Sequence, residues 1–158
     1  MTKILFVCLG NICRSPIAKG IFETILKENG VESHFYVDSC GTSDFHEGEE
    51  ADPRTRETLD KNNISLNHEA RQLRESDFRE FDYIIAMDEK NYDDILEQKP
   101  EDSKAKILML RAFEEEASED INVPDPYWSG PDGFDHVFEV IDRNARNLLN
   151  YLLKKHKT

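Results

Sequence analysis

The residues that could do chemistry lie close together near the start of the chain, in the stretch Cys8-Leu9-Gly10-Asn11-Ile12-Cys13-Arg14-Ser15-Pro16. A cysteine thiolate is a strong nucleophile, and an arginine guanidinium can grip two oxygens of a phosphate with its planar fork. The five residues between Cys8 and Arg14 are enough for the chain to circle one phosphate. Gly10 and Asn11 tolerate left-handed backbone angles, so a short loop can turn its amides inward. We therefore predict that residues 8–15 form an anion loop with a nucleophilic thiol at its start.

The segments on either side of the anion loop fit this interpretation. Ile4-Leu5-Phe6-Val7 is a continuous apolar run, typical of a parallel strand that is buried on both faces. Ser15-Pro16 predicts a helix with serine as its N-cap and proline at the first helical position. The free N–H groups and the dipole of a helix N-terminus attract anions and stabilise a thiolate. Ser15 can also donate a hydrogen bond to the sulfur of Cys8.

Apolar runs alternate with helical periodicity along the rest of the chain. Further strands are predicted at residues 34–38, 83–87 and 107–110, and further helices from Asp52-Pro53 to a stop at Asn62-Asn63, after Asp88, and at 134–152. This alternation predicts an α/β fold with a parallel sheet that is covered by helices on both faces. We expect a single domain over residues 1–158, because this length suits one domain.

The charge of the chain limits its partners. The formal net charge of −13 disfavours nucleic acid and anionic membranes, so neither is predicted as a partner. The longest wholly apolar run is far too short to cross a bilayer, and no signal peptide is visible, which predicts a cytoplasmic protein. Two acidic stretches, one at residues 47–50 and one at 114–120, are predicted to be solvated loops.

The cysteines and histidines do not form a pattern typical of a disulfide framework or a metal site. Three cysteines are an odd number, which argues against a disulfide framework, and Cys40 is predicted to be a buried apolar side chain. A metal site that uses Cys8 and Cys13 lacks nearby residues to complete four ligands, so no metal and no cofactor are predicted. Four histidines are predicted to be incidental: His34, His46, His136 and His156.

With these residues in view, the chain resembles the low-molecular-weight protein tyrosine phosphatases over essentially its whole length. The anion loop resembles the family signature near the amino terminus, and Asp125-Pro126-Tyr127 resembles the late acid motif of the family. Internal landmarks also match: Asp38-Ser39, His68 with Ala70-Arg71-Gln72, and Phe81-Asp82-Tyr83 with Met87-Asp88. The resemblance implies a three-layer α/β/α fold with a four-stranded parallel sheet in the order 2-1-3-4.

The resemblance also implies a role for each site residue. It implies Cys8 as the nucleophile, Arg14 as the phosphate clamp and Asp125 as the general acid and base. The phosphate-binding loop comprises Leu9, Gly10, Asn11, Ile12, Cys13 and Ser15. Asn11, Ser15, Ser39 and His68 correspond to residues that brace the loop, and Phe45, Tyr127 and Trp128 correspond to the walls around the substrate ring. Cys13 matches a second cysteine that forms a reversible disulfide with the nucleophile under oxidation.

Taken together, these roles imply hydrolysis of phosphotyrosine in proteins, and of small aryl phosphates, through a cysteinyl-phosphate intermediate. The enzyme is expected to be a monomer with at most weak self-association. Two departures from the family pattern concern the substrate walls. Trp128 stands where many relatives have a second tyrosine, and Phe45 lacks the polar edge of the tyrosine or tryptophan often found there.

Three alternatives remain beside this prediction. An arsenate reductase shuttles a disulfide through additional cysteines downstream, and the chain has none beyond Cys40. A phosphoarginine phosphatase carries a threonine where this chain has Ile12, which favours the aryl phosphate. A phosphate-binding module without turnover would have no use for Cys8, Arg14 and Asp125 together.

Overall fold

The computed structural model describes residues 1–114 and 120–156. Four strands form one sheet, and every neighbouring pair is parallel: β1 (Thr2–Cys8), β2 (Phe35–Gly41), β3 (Tyr83–Ala86) and β4 (Lys106–Met109). The order across the sheet is β2-β1-β3-β4. The predicted α/β fold and strand order are therefore confirmed.

The helices cover the sheet on both faces. They are α1 (Arg14–Glu28), α2 (Pro53–Lys61), α3 (Asp77–Glu80), α4 (Glu89–Gln98) and α5 (Pro131–His156). Alternate residues of β1 point to opposite faces: Ile4 and Phe6 pack in the cluster with α1 and α5, and Leu5 and Val7 pack with α3 and α4. Burial on both faces explains why this strand is apolar without interruption.

The ends of several elements differ from the predictions. Helix α1 begins at Arg14 with Cys13 as its N-cap, because the carbonyl of Cys13 already accepts the first helical hydrogen bond from Ile17 N. The prediction that Ser15 caps the helix is therefore wrong, and the first turn has no side-chain cap. His34 lies in a short 3-10 helix, so β2 starts one residue later and extends to Gly41. Leu110 likewise begins a 3-10 helix, at Leu110–Phe113, and does not end β4.

The carboxyl ends of the strands bring distant residues to one edge of the sheet. Cys8 at the end of β1 pairs with Gly41 at the end of β2. A Cβ atom on Gly41 would lie 2.6 Å from the carbonyl oxygen of Leu9, so only glycine allows this close approach. Ligands of parallel α/β sheets bind at this edge, where the anion loop also lies. In the described ranges, no helix has the length and apolarity needed to span a bilayer.

Candidate active site

The backbone of the anion loop turns at Asn11. This residue has a φ of 58°, in the left-handed region that asparagine tolerates better than most residues, and its backbone N–H donates to Cys8 Sγ at 3.3 Å. Gly10 was expected to share this conformation and does not have a positive φ. A Cβ atom at this position would lie 3.0 Å from Cδ2 of His46, so a larger residue would require the His46 ring to shift.

The side chain of Asn11 connects this turn to the start of α1, to β2 and to the backbone of Arg71. Its Nδ2 donates to Ser15 Oγ at 2.8 Å and to Ser39 Oγ at 3.0 Å. Its Oδ1 accepts from the backbone N–H of Arg71 at 3.0 Å. The carbonyl oxygen of Asn11 lies 2.7 Å from His68 Nε2, which must be the donor because a carbonyl can only accept. The four predicted bracing residues thus lie together around this turn.

Cys8 and Ser15 form the floor of the site. Cys8 is 3% exposed, and its Sγ lies 3.0 Å from Ser15 Oγ. A thiolate can only accept, so the Ser15 hydroxyl donates to the sulfur whenever Cys8 is ionised. The Ser15 hydroxyl also lies 3.3 Å from the carbonyl of Cys40. Its predicted contact with the sulfur is therefore present, although the serine lies inside the helix and does not cap it.

Arg14 is held by groups from two other parts of the chain. Its Nη1 donates to Asp88 Oδ2 at 2.7 Å and to the carbonyl of Val123 at 3.0 Å. Its Nη2 lies 3.7 Å from Asp125 Oδ2. Burial opposes the charge of this guanidinium, but Cys8 and the two carboxylates outweigh it and raise the pKa of Arg14 above its ordinary value. Arg14 therefore remains a cation beside the sulfur.

Asp88 has a part in the site that the sequence did not reveal. The sequence predicted Asp88 as a family landmark and as the cap of a helix, and its Oδ1 does accept from the backbone N–H of Asn91 as the N-cap of α4. Its carboxylate also orients Arg14. The position after an apolar strand and before a helix predicted the cap. Its pairing with Arg14 joins residues 74 positions apart, and no local pattern encodes such a contact.

Asp125 lies across the cavity from the anion loop. Its Oδ1 accepts from the backbone N–H of Tyr127 at 3.0 Å, as in a turn that begins with aspartate. The side chain is 42% exposed, so the carboxyl is open to a molecule in the cavity. We call residues 123–130 the Asp125 loop.

Aromatic side chains form the walls of a cavity of about 440 Å³ above the anion loop. Cys8, Arg14 and Asp125 line it, together with Phe45, Tyr127 and Trp128. The rings of Phe45 and Trp128 are 81% and 90% exposed, whereas Tyr127 packs against the core, with its ring centroid 4.8 Å from that of Trp128. The predicted wall residues are therefore brought together with the predicted reactive residues.

His46 is also part of the cavity wall, which the sequence analysis missed. Its ring centroid lies 5.0 Å from that of Phe45 and 6.3 Å from that of Tyr127, and its Nδ1 lies 3.0 Å from Glu49 Oε2. The interpretation of His46 as incidental is thus wrong. Its position directly after Phe45 was the available signal, since a loop that presents one wall residue can present the next.

Cys13 and Cys40 are buried thiols, and all three cysteines are free. Burial, the charge of Asp52 and the neighbouring Cys8 raise the pKa of Cys13 to about 12, and burial raises the pKa of Cys40. Cys40 is thus the buried apolar residue that was predicted. A disulfide between Cys8 and Cys13 stays a prediction. Within residues 1–114 and 120–156, no three histidine, cysteine or acidic side chains are grouped to hold a metal ion.

The acidic stretch at 114–120 is described only at its ends, because residues 115–119 lie outside the described ranges. Glu114 was expected to be solvated, yet its side chain is 13% exposed and pairs with Arg111 and Arg143. Asp120 Oδ2 lies 3.3 Å from Arg111 Nη1. Both ends of the stretch therefore attach to Arg111.

Comparisons with known proteins agree with this geometry. The family model described as "Low molecular weight phosphotyrosine protein phosphatase" matches residues 3–158. A protein of that name from Schizosaccharomyces pombe is 48% identical over 149 residues, which cover 90% of this chain and 94% of that protein. A protein tyrosine phosphatase from Entamoeba histolytica, known from a crystal structure, has 37% sequence identity to this chain and superimposes on it with a TM-score of 0.92 over 100% of both chains. The structure of a drosophila arginine phosphatase is 30% identical, with a TM-score of 0.90 over 96% of this chain and 98% of that chain.

Proposed function

Because the chain belongs to the low molecular weight phosphotyrosine protein phosphatase family, we propose that it hydrolyses phosphotyrosine in proteins, and small aryl phosphates, through a cysteinyl-phosphate intermediate. The observation that carries the proposal is the convergence of Cys8, Arg14 and Asp125 on one cavity. These three side chains provide a nucleophile, a fixed positive charge and a proton donor, which together satisfy the needs of phosphate monoester cleavage.

In the first step, the Cys8 thiolate attacks phosphorus, and the bond between phosphorus and the phenolic oxygen breaks. Arg14 and the inward amides of the anion loop bind the non-bridging oxygens, which carry the charge of the transition state. The Asp125 carboxylic acid transfers its proton to the departing phenolate oxygen. The products of this step are a neutral phenol, a phosphorylated Cys8 and an Asp125 carboxylate.

In the second step, water attacks the phosphorus of the cysteinyl phosphate. The Asp125 carboxylate removes a proton from this water, and the bond between sulfur and phosphorus breaks. Inorganic phosphate leaves, and Cys8 returns to the thiolate, which the Ser15 hydroxyl stabilises at 3.0 Å. Both steps balance without a redox reagent, so the proposal includes no cofactor and no metal.

The walls of the cavity support an aryl substrate. Phe45, Tyr127 and Trp128 offer aromatic surface on which a phenyl ring can stack, and such contacts favour flat rings over short alkyl chains. Phosphoarginine is the second candidate, because a relative with a TM-score of 0.90 is described as an arginine phosphatase. Ile12 in the anion loop favours the aryl phosphate over this candidate.

The test is an assay with EDTA that compares three peptides of the same sequence, which carry phosphotyrosine, phosphoserine or phosphoarginine. We expect kcat/KM to be highest for phosphotyrosine, and the Cys8→Ser variant to lose turnover while it still binds the phosphotyrosine peptide. Turnover in Cys8→Ser would refute the mechanism. A higher kcat/KM for the phosphoarginine peptide would refute phosphotyrosine as the preferred substrate and support phosphoarginine in its place. The monomeric state and the cytoplasmic location stay predictions.

A further inference from the structure

The amino-terminal end of α2 contacts the anion loop directly. The backbone N–H of Asp52 donates to the carbonyl of Ile12 at 3.0 Å, and the Thr55 hydroxyl donates to the same carbonyl at 2.8 Å. Thr55 is fully buried, so this second hydrogen bond is shielded from water. The start of α2 is therefore a fixed support for the loop that carries Cys8.

Arg54, between those two residues, extends to the opposite side of the cavity. Its Nη1 donates to the carbonyl of Ser129 at 3.3 Å. Its guanidinium carbon lies 5.5 Å from the ring centroid of Tyr127 and 4.8 Å from that of Phe134, within the range of cation–π contacts. Arg54 thus joins α2 to two residues of the Asp125 loop and to the first turn of α5.

The direction of this guanidinium is fixed by Asp52. Arg54 Nε lies 3.1 Å from Asp52 Oδ1, Nη2 lies 3.0 Å from Oδ2, and the backbone N–H of Arg54 donates to Oδ1 at 2.8 Å. The two carboxylate oxygens of Asp52 bind one edge of the planar guanidinium, and the other edge is free to bind another partner. That free edge carries Nη1, which points to the Asp125 loop.

Asp125 depends on its loop for its position. The Tyr127 backbone N–H holds its Oδ1 at 3.0 Å, and the contact of its Oδ2 with Arg14 is long, at 3.7 Å. Arg54 restrains the ring of Tyr127, and Tyr127 in turn restrains the carboxylate. An error of about 1 Å in the placement of a reacting group can cost roughly 100-fold in rate.

We propose that Arg54 is a positioning residue for the leaving-group proton: it fixes the Asp125 loop against α2, and so holds Asp125 over Cys8 without contact with the substrate. This inference rests on the proposed function, because it takes Asp125 as the general acid. It adds a residue outside the cavity lining to the machinery, and it makes α2 the common support of the nucleophile and the acid.

The experiment compares two substrates in the Arg54→Ala variant. A poor leaving group, the phenolate of phosphotyrosine, needs the proton of Asp125, whereas 2,4-dinitrophenyl phosphate has a leaving group that departs without it. We expect kcat/KM to fall about tenfold or more on phosphotyrosine and about twofold or less on the dinitrophenyl ester. Arg56→Ala is the matched control, since it removes an exposed arginine of the same helix that pairs only loosely with Glu50. Equal losses on both substrates would refute the inference.

A double-mutant cycle tests the route through Asp125. In an Asp125→Ala background, Arg54→Ala should change kcat/KM on phosphotyrosine by about twofold or less, because the group that Arg54 positions is already absent. Independent action of the two residues would instead multiply their separate losses. Multiplied losses would contradict the inference.

Arg54→Lys provides a second variant in case Arg54→Ala does not fold. Lysine keeps the charge but cannot bind Asp52 with two parallel hydrogen bonds, so we expect the same dependence on leaving group with a smaller loss. The two proposals fail separately. If Asp125→Ala shows no dependence on leaving group, the proposed function fails. If Asp125→Ala shows a loss that depends on the leaving group and both Arg54 variants do not, only the role of Arg54 fails.

Discussion

The side-chain amide of Asn11 donates a 3.0 Å hydrogen bond to the hydroxyl of Ser39, which lies 28 residues away on β2. Ser39 is 1% exposed. Because the other hydrogen of the same amide is directed to Ser15, both donors of the Asn11 side chain are used. The left-handed turn of the anion loop is thus tied to a neighbouring strand of the sheet, and not only to its own helix.

Replacement of Ser39 should weaken this turn. In Ser39→Ala, one buried N–H of Asn11 loses its acceptor, which costs about 1–3 kcal/mol. We expect urea denaturation to show that loss, and binding of inorganic phosphate to weaken at the same time. The exposed Ser33→Ala serves as the control for removal of a hydroxyl. Unchanged stability and phosphate affinity in Ser39→Ala would contradict this prediction.

Asp88→Asn should separate the two functions of Asp88. Asparagine is as good an N-cap as aspartate, so α4 should keep its stability to within about 0.5 kcal/mol. The charge-assisted hydrogen bond to Arg14 is lost, and such bonds contribute about 1.5–3 kcal/mol. We expect kcat/KM to fall about tenfold or more, with a matching rise in the inhibition constant of phosphate. A variant with wild-type kinetics would contradict the role of Asp88 in orienting Arg14.

His68 should make stability depend on pH. Burial is the largest cause that lowers the pKa of His68 below its ordinary value of 6.5, while the contact with the Asn11 carbonyl opposes this shift. The unfolded chain then binds a proton more readily than the folded protein, so stability is full above pH 6.5 and is lost as the pH falls through the folded pKa. Urea denaturation at pH 7.5 and pH 5.5 should show a smaller decline for His68→Gln than for the wild type. If the free energy of unfolding falls equally in both proteins, His68 is not the source of the pH dependence.

Glu114 should make stability depend on pH in a lower range than His68 does. Its hydrogen bonds with Arg143, at 3.0 Å, lower the pKa of Glu114 from 4.5 to about 2. The stabilisation is therefore present above pH 4.5 and is lost as the pH falls toward 2. At pH 7, Glu114→Gln should reduce the free energy of unfolding by about 1–3 kcal/mol, and this difference should shrink by pH 3. Glu97→Gln, on the exposed face of α4, is the control. A difference that persists at pH 3 would exclude the ion pair as its cause.

The sequence was informative where local rules decide the structure. The apolar run of β1 and the glycine, asparagine and arginine after it predicted a loop at the carboxyl edge of a parallel sheet, and the family prediction is confirmed by the match to residues 3–158. Asp88 before α4 is an N-cap, as its position indicated. Residue type and spacing are enough for such features, because the interactions involved span only a few residues.

Contacts between distant segments could not be predicted in the same way. Arg14 and Val123 are 109 positions apart, and Arg54 and Ser129 are 75 positions apart. Their geometry follows from how the loops at the sheet edge pack against one another. The boundary of α1 was wrong for a related reason: the Ser15 hydroxyl is engaged by Asn11 and Cys8, so it does not cap the helix.

The fixed guanidinium of Arg14 has a consequence for the turnover of the enzyme. Asp88 and Val123 already hold this side chain in the free protein. The entropy cost of restricting its rotamers, about 2 kcal/mol, therefore reduces the free energy of folding and does not weaken ligand binding. On the proposed function, inorganic phosphate should bind the same preformed arginine as the ester, although it lacks the ring that contacts the aromatic walls. We therefore expect the free phosphate of its surroundings to compete with every substrate, so that product inhibition limits the rate when phosphate accumulates.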